Sequence, residues 1–285
     1  MILSSHGIIG SQIVQFSGLL DTYTGAAAAY SLRLLSTSYT GSAIKVRRAS
    51  DNTEQDIGFS NNELDTTSLA SFCSGTNGFV TTWYDQSGNG VNVTQTTAAN
   101  QPKIYDSSTG VITENGKAAV QFDGSDDAML NSSLTNTNLS SFYINQVISH
   151  NGLTDNRSSV SLSDGTSTPT GNSFFTIYPY RNQTYRVFFN GLSITFGNNP
   201  ISSGQLSLIF EQISNTERNG YINSSLIGAD TSNKTISDLN NIYIGRNDLG
   251  QFFSGKIQET IFYTSDQSSN RTGIETNINN FYSIY

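Results

Sequence analysis

From Ser42 to Tyr263 the apolar residues of this sequence come in short runs, most of them bounded by Gly, Asn, Ser or Asp. "SAIKVRRAS" alternates Ile44 and Val46 with Lys45 and Arg47. "GFVTTWYD", "KAAVQFDG", "SFYINQVISH", "SFFTIYPY", "TYRVFFNG", "QLSLIFEQI", "NIYIGRN" and "FSGKIQETIFYT" follow, rich in β-branched and aromatic residues. A side-chain period of two over a few residues is the mark of a strand with one buried face. About twelve such runs with turn formers between them bury their apolar faces by stacking two antiparallel sheets. The expected fold is all-β, a two-sheet antiparallel jelly-roll sandwich with a few short helices and an N-terminal arm.

The helices are expected in three places. "GAAAAYSLRLLSTSY" is alanine-rich, with Tyr30, Leu34 and Leu35 close to one helical face. "TTSLASFC" follows Asp65, whose carboxylate suits an N-cap. The C-terminal stretch returns to helical spacing through Ile274, Ile278 and Phe281. Hairpin turns are expected at Asn115-Gly116, Asn190-Gly191 and Asn219-Gly220, since Asn-Gly adopts the positive φ angles of tight turns. Residues 1–25, with the glycine-flanked run "GIIGSQIVQF", read as an arm or anchor, and residues 26–285 as the sandwich.

Composition narrows the function. Only 13% of the 285 residues are charged, and the formal net charge is −8. The one basic cluster, Lys45 to Arg48, lies in a strand-like run, so nucleic acid is not an expected partner. No run is long and apolar enough to suggest a membrane-spanning helix, and no membrane insertion is expected. The single cysteine, Cys73, excludes an internal disulfide and reads as a buried, inert thiol. His6 and His150 lack metal-ligand spacing, and "DGSDDAML" lacks the spacing and terminal Glu of a calcium loop. No metal and no cofactor are expected.

Two stretches are candidates for carbohydrate contact. In "TTWYDQSGNG", Trp83 and Tyr84 could serve as sugar platforms, with Asp85 and Asn89 taking hydroxyls. The plainer reading makes Trp83 core and has Asp85 accept from backbone N–H groups of the following turn, as Asp does routinely. In "IYPYRNQTYR", Tyr178, Tyr180, Arg181 and Asn182 combine aromatic faces with donors.

Tyr30 to about Asp123 carries "YSLRLLSTSYTGSAIKVRRASDN", "FCSGTNGFVTTWYDQSGNGVNVTQ", "QPKIY" and "KAAVQFDG". Together these resemble the first part of the fungal α-L-arabinofuranosidase B catalytic domain, which implies a concanavalin-like sandwich. That resemblance also implies disulfides, which this chain cannot form, and two carboxyl groups lying beyond the Tyr-Asp-Gln-Ser-Gly-Asn-Gly turn. After residue 124 no local motif matches that family's nucleophile or acid; Glu211 and Glu259 are the candidates because they fall within strands. The C-terminal half, "RNGYINSSLIG" through "NNIYIGRND" to "NINNFY", resembles the laminin-G/pentraxin-like jelly roll of lectin-like domains. "SSHGIIGS" on a chain of this neutral polar composition resembles phage virion proteins.

The expected function is accordingly a structural phage virion protein, a capsid-decorating, head-fibre or tail component displaying a lectin-like sandwich. It would contact other virion proteins through residues 1–25, bind host or mucosal glycans, and assemble as a homo-oligomer, with a trimer favoured. The alternatives are an arabinofuranosidase-like glycoside hydrolase and a free secreted lectin.

Overall fold

The computed structural model of the chain describes residues 15–134, 136–151, 157–164, 174–180, 184–189, 192–196, 204–233 and 236–285. Its strands form two antiparallel layers. The first, sheet I, is built around Ser254–Tyr263. One side of this strand pairs with Phe142–His150, which pairs with Gln205–Ser214 and so on through Glu217–Ile222 to Ser225–Asp230. Its other side carries two short strands end to end, Ala26–Ser31 and Val120–Asp123.

Sheet II runs from Glu54–Ile57 through Ile44–Arg48, Gly78–Trp83, Val93–Thr94, Met129–Asn131, Asn241–Ile244 and Val160–Ser163. It continues through Phe174–Tyr180 and Thr184–Phe189 to Leu192–Phe196. Lys103–Asp106 joins the layers at one corner, pairing with both Gly78–Trp83 and Val120–Asp123. The all-β jelly-roll sandwich expected from the alternation is what the chain forms.

The main core lies between the layers. Ile44, Val46, Val80, Trp83, Ile242 and Ile244 from sheet II meet Phe122, Ile144, Ile148, Phe210, Ile257 and Phe262 from sheet I. A second core covers the outer face of sheet I. There Tyr143, Val147, Ile209, Ile261 and Tyr263 pack against helix α1 (Leu19–Thr22) and helix α3 (Arg271–Tyr282). With both faces covered, all nine residues of Phe142–His150 are buried. Helix α2 (Thr66–Phe72) starts at the expected cap: Asp65 accepts from the Ser68 N–H at 3.0 Å. Cys73 closes it and is buried and free.

Two local expectations change. The alanine-rich stretch is the strand Ala26–Ser31, not a helix. Alanine's helix preference amounts to only tenths of a kcal/mol per residue. Pairing with Thr260 and Glu259, and burial of Ala28, Ala29 and Tyr30 on both faces of sheet I, outweigh it. Asn219-Gly220 lies inside the strand Glu217–Ile222, and the turn falls at Asn223-Ser224, both at positive φ. Asn115-Gly116 does turn, with φ of 47° and 75°; Asn190-Gly191 lies outside the described residues. Of the segment read as an arm, residues 1–14 lie outside the described residues, and Leu19 and Leu20 are buried against sheet I and α3.

Candidate functional site

Trp83 ends its strand with its ring fully buried, 6.3 Å from Tyr30, so it presents no face to a ligand. Asp85 is buried as well. Its carboxylate accepts from the backbone N–H groups of Ala29 (2.8 Å), Ser87 (2.9 Å) and Val91 (3.1 Å), and from the Ser87 hydroxyl (2.7 Å). Asn89 donates its amide to the carbonyls of Ala26 and Ala27. The half-buried Tyr84 donates its hydroxyl to Asp56 at 2.6 Å, and burial raises its phenol well above the ordinary value. Gln86, which sequence reasoning passed over, accepts from Leu35 N–H and donates to the carbonyls of Ser31 and Arg33. The turn after Trp83 therefore clamps the loop to the first strand of sheet I. Of the second candidate stretch, Arg181 and Asn182 lie outside the described residues, as do the side chains of Tyr178 and Tyr180.

Glu211 and Glu259 both lie beneath helix α3, on the outer face of sheet I. Glu259 is fully buried and receives Arg33 through Nε at 2.7 Å and Nη2 at 3.0 Å, with Ser31 and Tyr282 hydroxyls also donating to it. Glu211 accepts from Tyr221 and Asn219, and its Oε2 is buried without a partner. Glu211 pairs with Tyr143 and Tyr143 with Tyr263, four residues from Glu259. Two strand spacings and four residues put their α-carbons about 16 Å apart. Glycosidase pairs sit about 5 Å apart in retaining enzymes and up to about 9.5 Å in inverting ones. Glu211 and Glu259 do not form such a pair; Glu259 ties sheet I to the helix through Tyr282, and Glu211 is held by the neighbouring strand Glu217–Ile222.

A better-placed hollow, 260 Å³, opens on the outer face of sheet II. Register runs Thr82, Thr94, Leu130, Tyr243 across four strands, and three of these line the hollow. Gln95, Asn100, Asp126, Ser132 and Arg246 complete its walls. Arg246 is stacked, its guanidinium carbon 4.7 Å from the centre of the Tyr243 ring and 5.9 Å from that of Phe252. Its Nε is buried without a hydrogen-bond partner.

The loop that carries Arg246 is rigid. Gly245 turns it at φ +88°, and the buried Asn247 accepts from the N–H groups of Leu249 and Gln251 while donating to the Gln251 side chain at 2.6 Å. Asp248 Oδ2 is buried without a hydrogen-bond partner, while burial and then a hydrogen bond to Asp248 raise the Tyr243 phenol, against which the neighbouring Arg246 acts.

Beside the hollow, Asp123, Asp126 and Asp127 bring carboxylate oxygens within 4.8 Å of one another. Asp127 is buried and accepts from the Asp123 N–H at 2.9 Å; burial, then the Asp123 charge, pushes its carboxyl up to about 7. Asp123 turns inward on its own loop, accepting from the Ser125 N–H at 2.7 Å. Nothing in "DGSDDAML" signals that Asp127 is buried, because burial depends on strands far away.

A larger groove of 820 Å³ runs between helix α2 and the end of α3. Its charged groups are already engaged: Glu63 pairs with Lys117 at 2.6 Å, and Asp65 caps α2, its bond from Ser68 lowering its carboxyl.

The model of the alpha-L-arabinofuranosidase B catalytic domain matches residues 21–140. A search of curated proteins returns no match. Among solved structures, a point mutant of a GH54 α-L-arabinofuranosidase soaked with 4-nitrophenyl α-L-arabinofuranoside superposes with a TM-score of 0.75 at 18% identity, covering 91% of this chain and 64% of that one. An arabinofuranosidase complexed with arabinofuranosyl-α-1,2-xylobiose gives 0.69 at 19% identity, with the same coverage. This chain thus spans somewhat less than two thirds of the length of those proteins, and at such identity the likeness establishes the fold. The expectation of a capsid-decorating, head-fibre or tail protein is corrected by these findings. The family match and the structural neighbours are arabinofuranosidases, and they favour the alternative reading of a glycoside hydrolase.

Proposed function

We propose that this chain is an arabinofuranosidase-like glycoside hydrolase domain acting on arabinofuranosyl-bearing glycans. The observation that carries this reading is the match of residues 21–140 to an arabinofuranosidase catalytic-domain model, on a chain of which 91% follows the fold of such enzymes.

The chemistry needs one carboxyl to hold a proton for the leaving oxygen and one to act from the other side of the sugar. The hollow on sheet II supports this better than any other place among the described residues. Asp126 lines it, and Asp248 stands two residues beyond Arg246, which also lines it, with Oδ2 buried and without a hydrogen-bond partner. In this reading Asp126 and Asp248 are the reacting carboxyls, and Tyr243 with the amides of Gln95 and Asn100 orients the sugar ring. Asp127, whose carboxyl burial pushes up to about 7, keeps its proton below that pH and so lowers the negative charge behind Asp126 in mildly acidic solution.

The test is turnover of 4-nitrophenyl α-L-arabinofuranoside by the whole chain. Asp126→Asn and Asp248→Asn are each expected to lower kcat by about 10²–10⁴-fold. An inert wild-type protein overturns the reading, and full activity in both variants overturns the assignment of the pair.

A further inference from the structure

Two tight hairpins frame the 820 Å³ groove between helix α2 and the end of α3. Phe59–Ser60 returns through Asn61-Asn62 as Glu63–Leu64, and Thr113–Glu114 returns through Asn115-Gly116 as Lys117–Ala118. The four turn residues hold φ between 47° and 75°. Positive φ at both central positions fits a two-residue turn to the twist of its strands. The Lys117–Glu63 ion pair at 2.6 Å ties one hairpin to the other. Asn115 donates to the carbonyls of Tyr282 at 2.8 Å and Ser283 at 3.1 Å, which pins the second hairpin to the end of α3. The walls are therefore set without a ligand.

The lining combines carbon with uncharged polar groups. Leu64, Ala118 and Phe281 supply the apolar part. The exposed Ser60, Asn61, Thr66, Thr67 and Thr113 supply hydroxyls and an amide, and none of these side chains has a hydrogen-bond partner among the described residues. The charges are spent: Glu63 on Lys117, and Asp65 on the N–H and hydroxyl of Ser68. An anion finds no free cation here and meets a chain that carries −8. An extended peptide recognised as an added strand needs a row of unpaired backbone groups. That row is occupied, because the Leu64 N–H donates to the Leu32 carbonyl and the Lys117 and Ala118 carbonyls accept from Gln258. What remains suits a ligand with apolar C–H faces and a ring of neutral hydroxyls, which is a sugar chain.

We propose that this groove is a second glycan-binding site, which holds an unbranched, uncharged stretch of the polysaccharide on which the domain acts. The inference deepens the glycan-acting reading above and rests on it for the class of ligand. The groove has about three times the volume of the 260 Å³ sheet II hollow, so it takes a run of sugar units where the hollow takes one ring. It also lies elsewhere on the molecule. Helix α3 covers the outer face of sheet I, whereas the hollow opens on the outer face of sheet II. Holding the backbone there keeps the polymer at the domain and raises the local concentration of its side groups at the hollow.

The experiment is titration calorimetry of the full chain with xylohexaose, a neutral hexasaccharide without arabinofuranosyl groups. Saturable binding is expected in the wild-type protein. Thr67→Arg and Thr113→Arg, each placing a long side chain in the groove from an exposed position, are expected to weaken it by about tenfold or more. Asp126→Asn, in the sheet II hollow, is expected to leave it unchanged. Absence of binding by the wild-type protein, undiminished binding in both arginine variants, or loss of binding in Asp126→Asn overturns the proposal. Equal binding of an uncharged Gly-Ser hexapeptide overturns the class of ligand. Should one arginine variant not fold, the other decides. The two readings fail separately. Arabinofuranoside turnover without xylohexaose binding removes the groove site alone. Groove-dependent binding without turnover supports the site and removes the hydrolase.

Discussion

Arg33 and Glu259 are joined by a two-pronged ion pair, Nε to Oε2 at 2.7 Å and Nη2 to Oε1 at 3.0 Å, buried between sheet I and helix α3. Arg33 also donates to Asn277 on the helix, and its guanidinium lies 5.0 Å from the Phe281 ring centre. The pair therefore ties the first strand, the central strand and the C-terminal helix together.

Removing one partner leaves the other charge buried and uncompensated. Arg33→Ala or Glu259→Ala should each cost about 3–5 kcal/mol. Urea unfolding of the variants checks this, and the double variant should lose less than the sum of the singles. Turnover per folded molecule should be unchanged, since neither residue lines the sheet II hollow.

Asp85 accepts three backbone N–H groups and a hydroxyl in a buried position. Asp85→Ala strands those donors, and each buried unpaired donor costs about 1–3 kcal/mol. The expected outcome is a strongly destabilised protein with a large drop in Tm, and Asp85→Asn should recover part of the loss.

Asp127 sets a pH dependence. Its carboxyl titrates near 3.8 when unfolded and at about 7 when folded. Between these values the unfolded chain has released a proton that the folded chain keeps, so the contribution of this group to stability falls as pH rises. It is most favourable below about pH 4 and fully lost above about pH 7. Chemical unfolding from pH 4 to pH 8 should show this decline, and Asp127→Asn should flatten it.

Gly245 holds φ +88°, and a Cβ there would lie 2.3 Å from the Phe122 ring. Gly245→Ala meets both backbone strain and overpacking, the latter alone worth about 1–3 kcal/mol. The variant should lose stability, read as a lower Tm on thermal unfolding.

The alternation of apolar and polar residues, with turn formers between the runs, determined the two-layer architecture, the Asp65 cap of helix α2 and the inward Asp85 turn. These are local matters: side-chain period, cap chemistry and turn geometry act over a few residues. The tertiary structure alone decided that Ala26–Ser31 is a strand, that Glu211 and Glu259 lie under a helix, that burial raises the Asp127 carboxyl, and that Arg246 stacks on Tyr243 and Phe252. Each depends on which distant residues strand register and layer packing bring alongside, and burial of a charge or the absence of its partner belongs to that neighbourhood rather than to the residue.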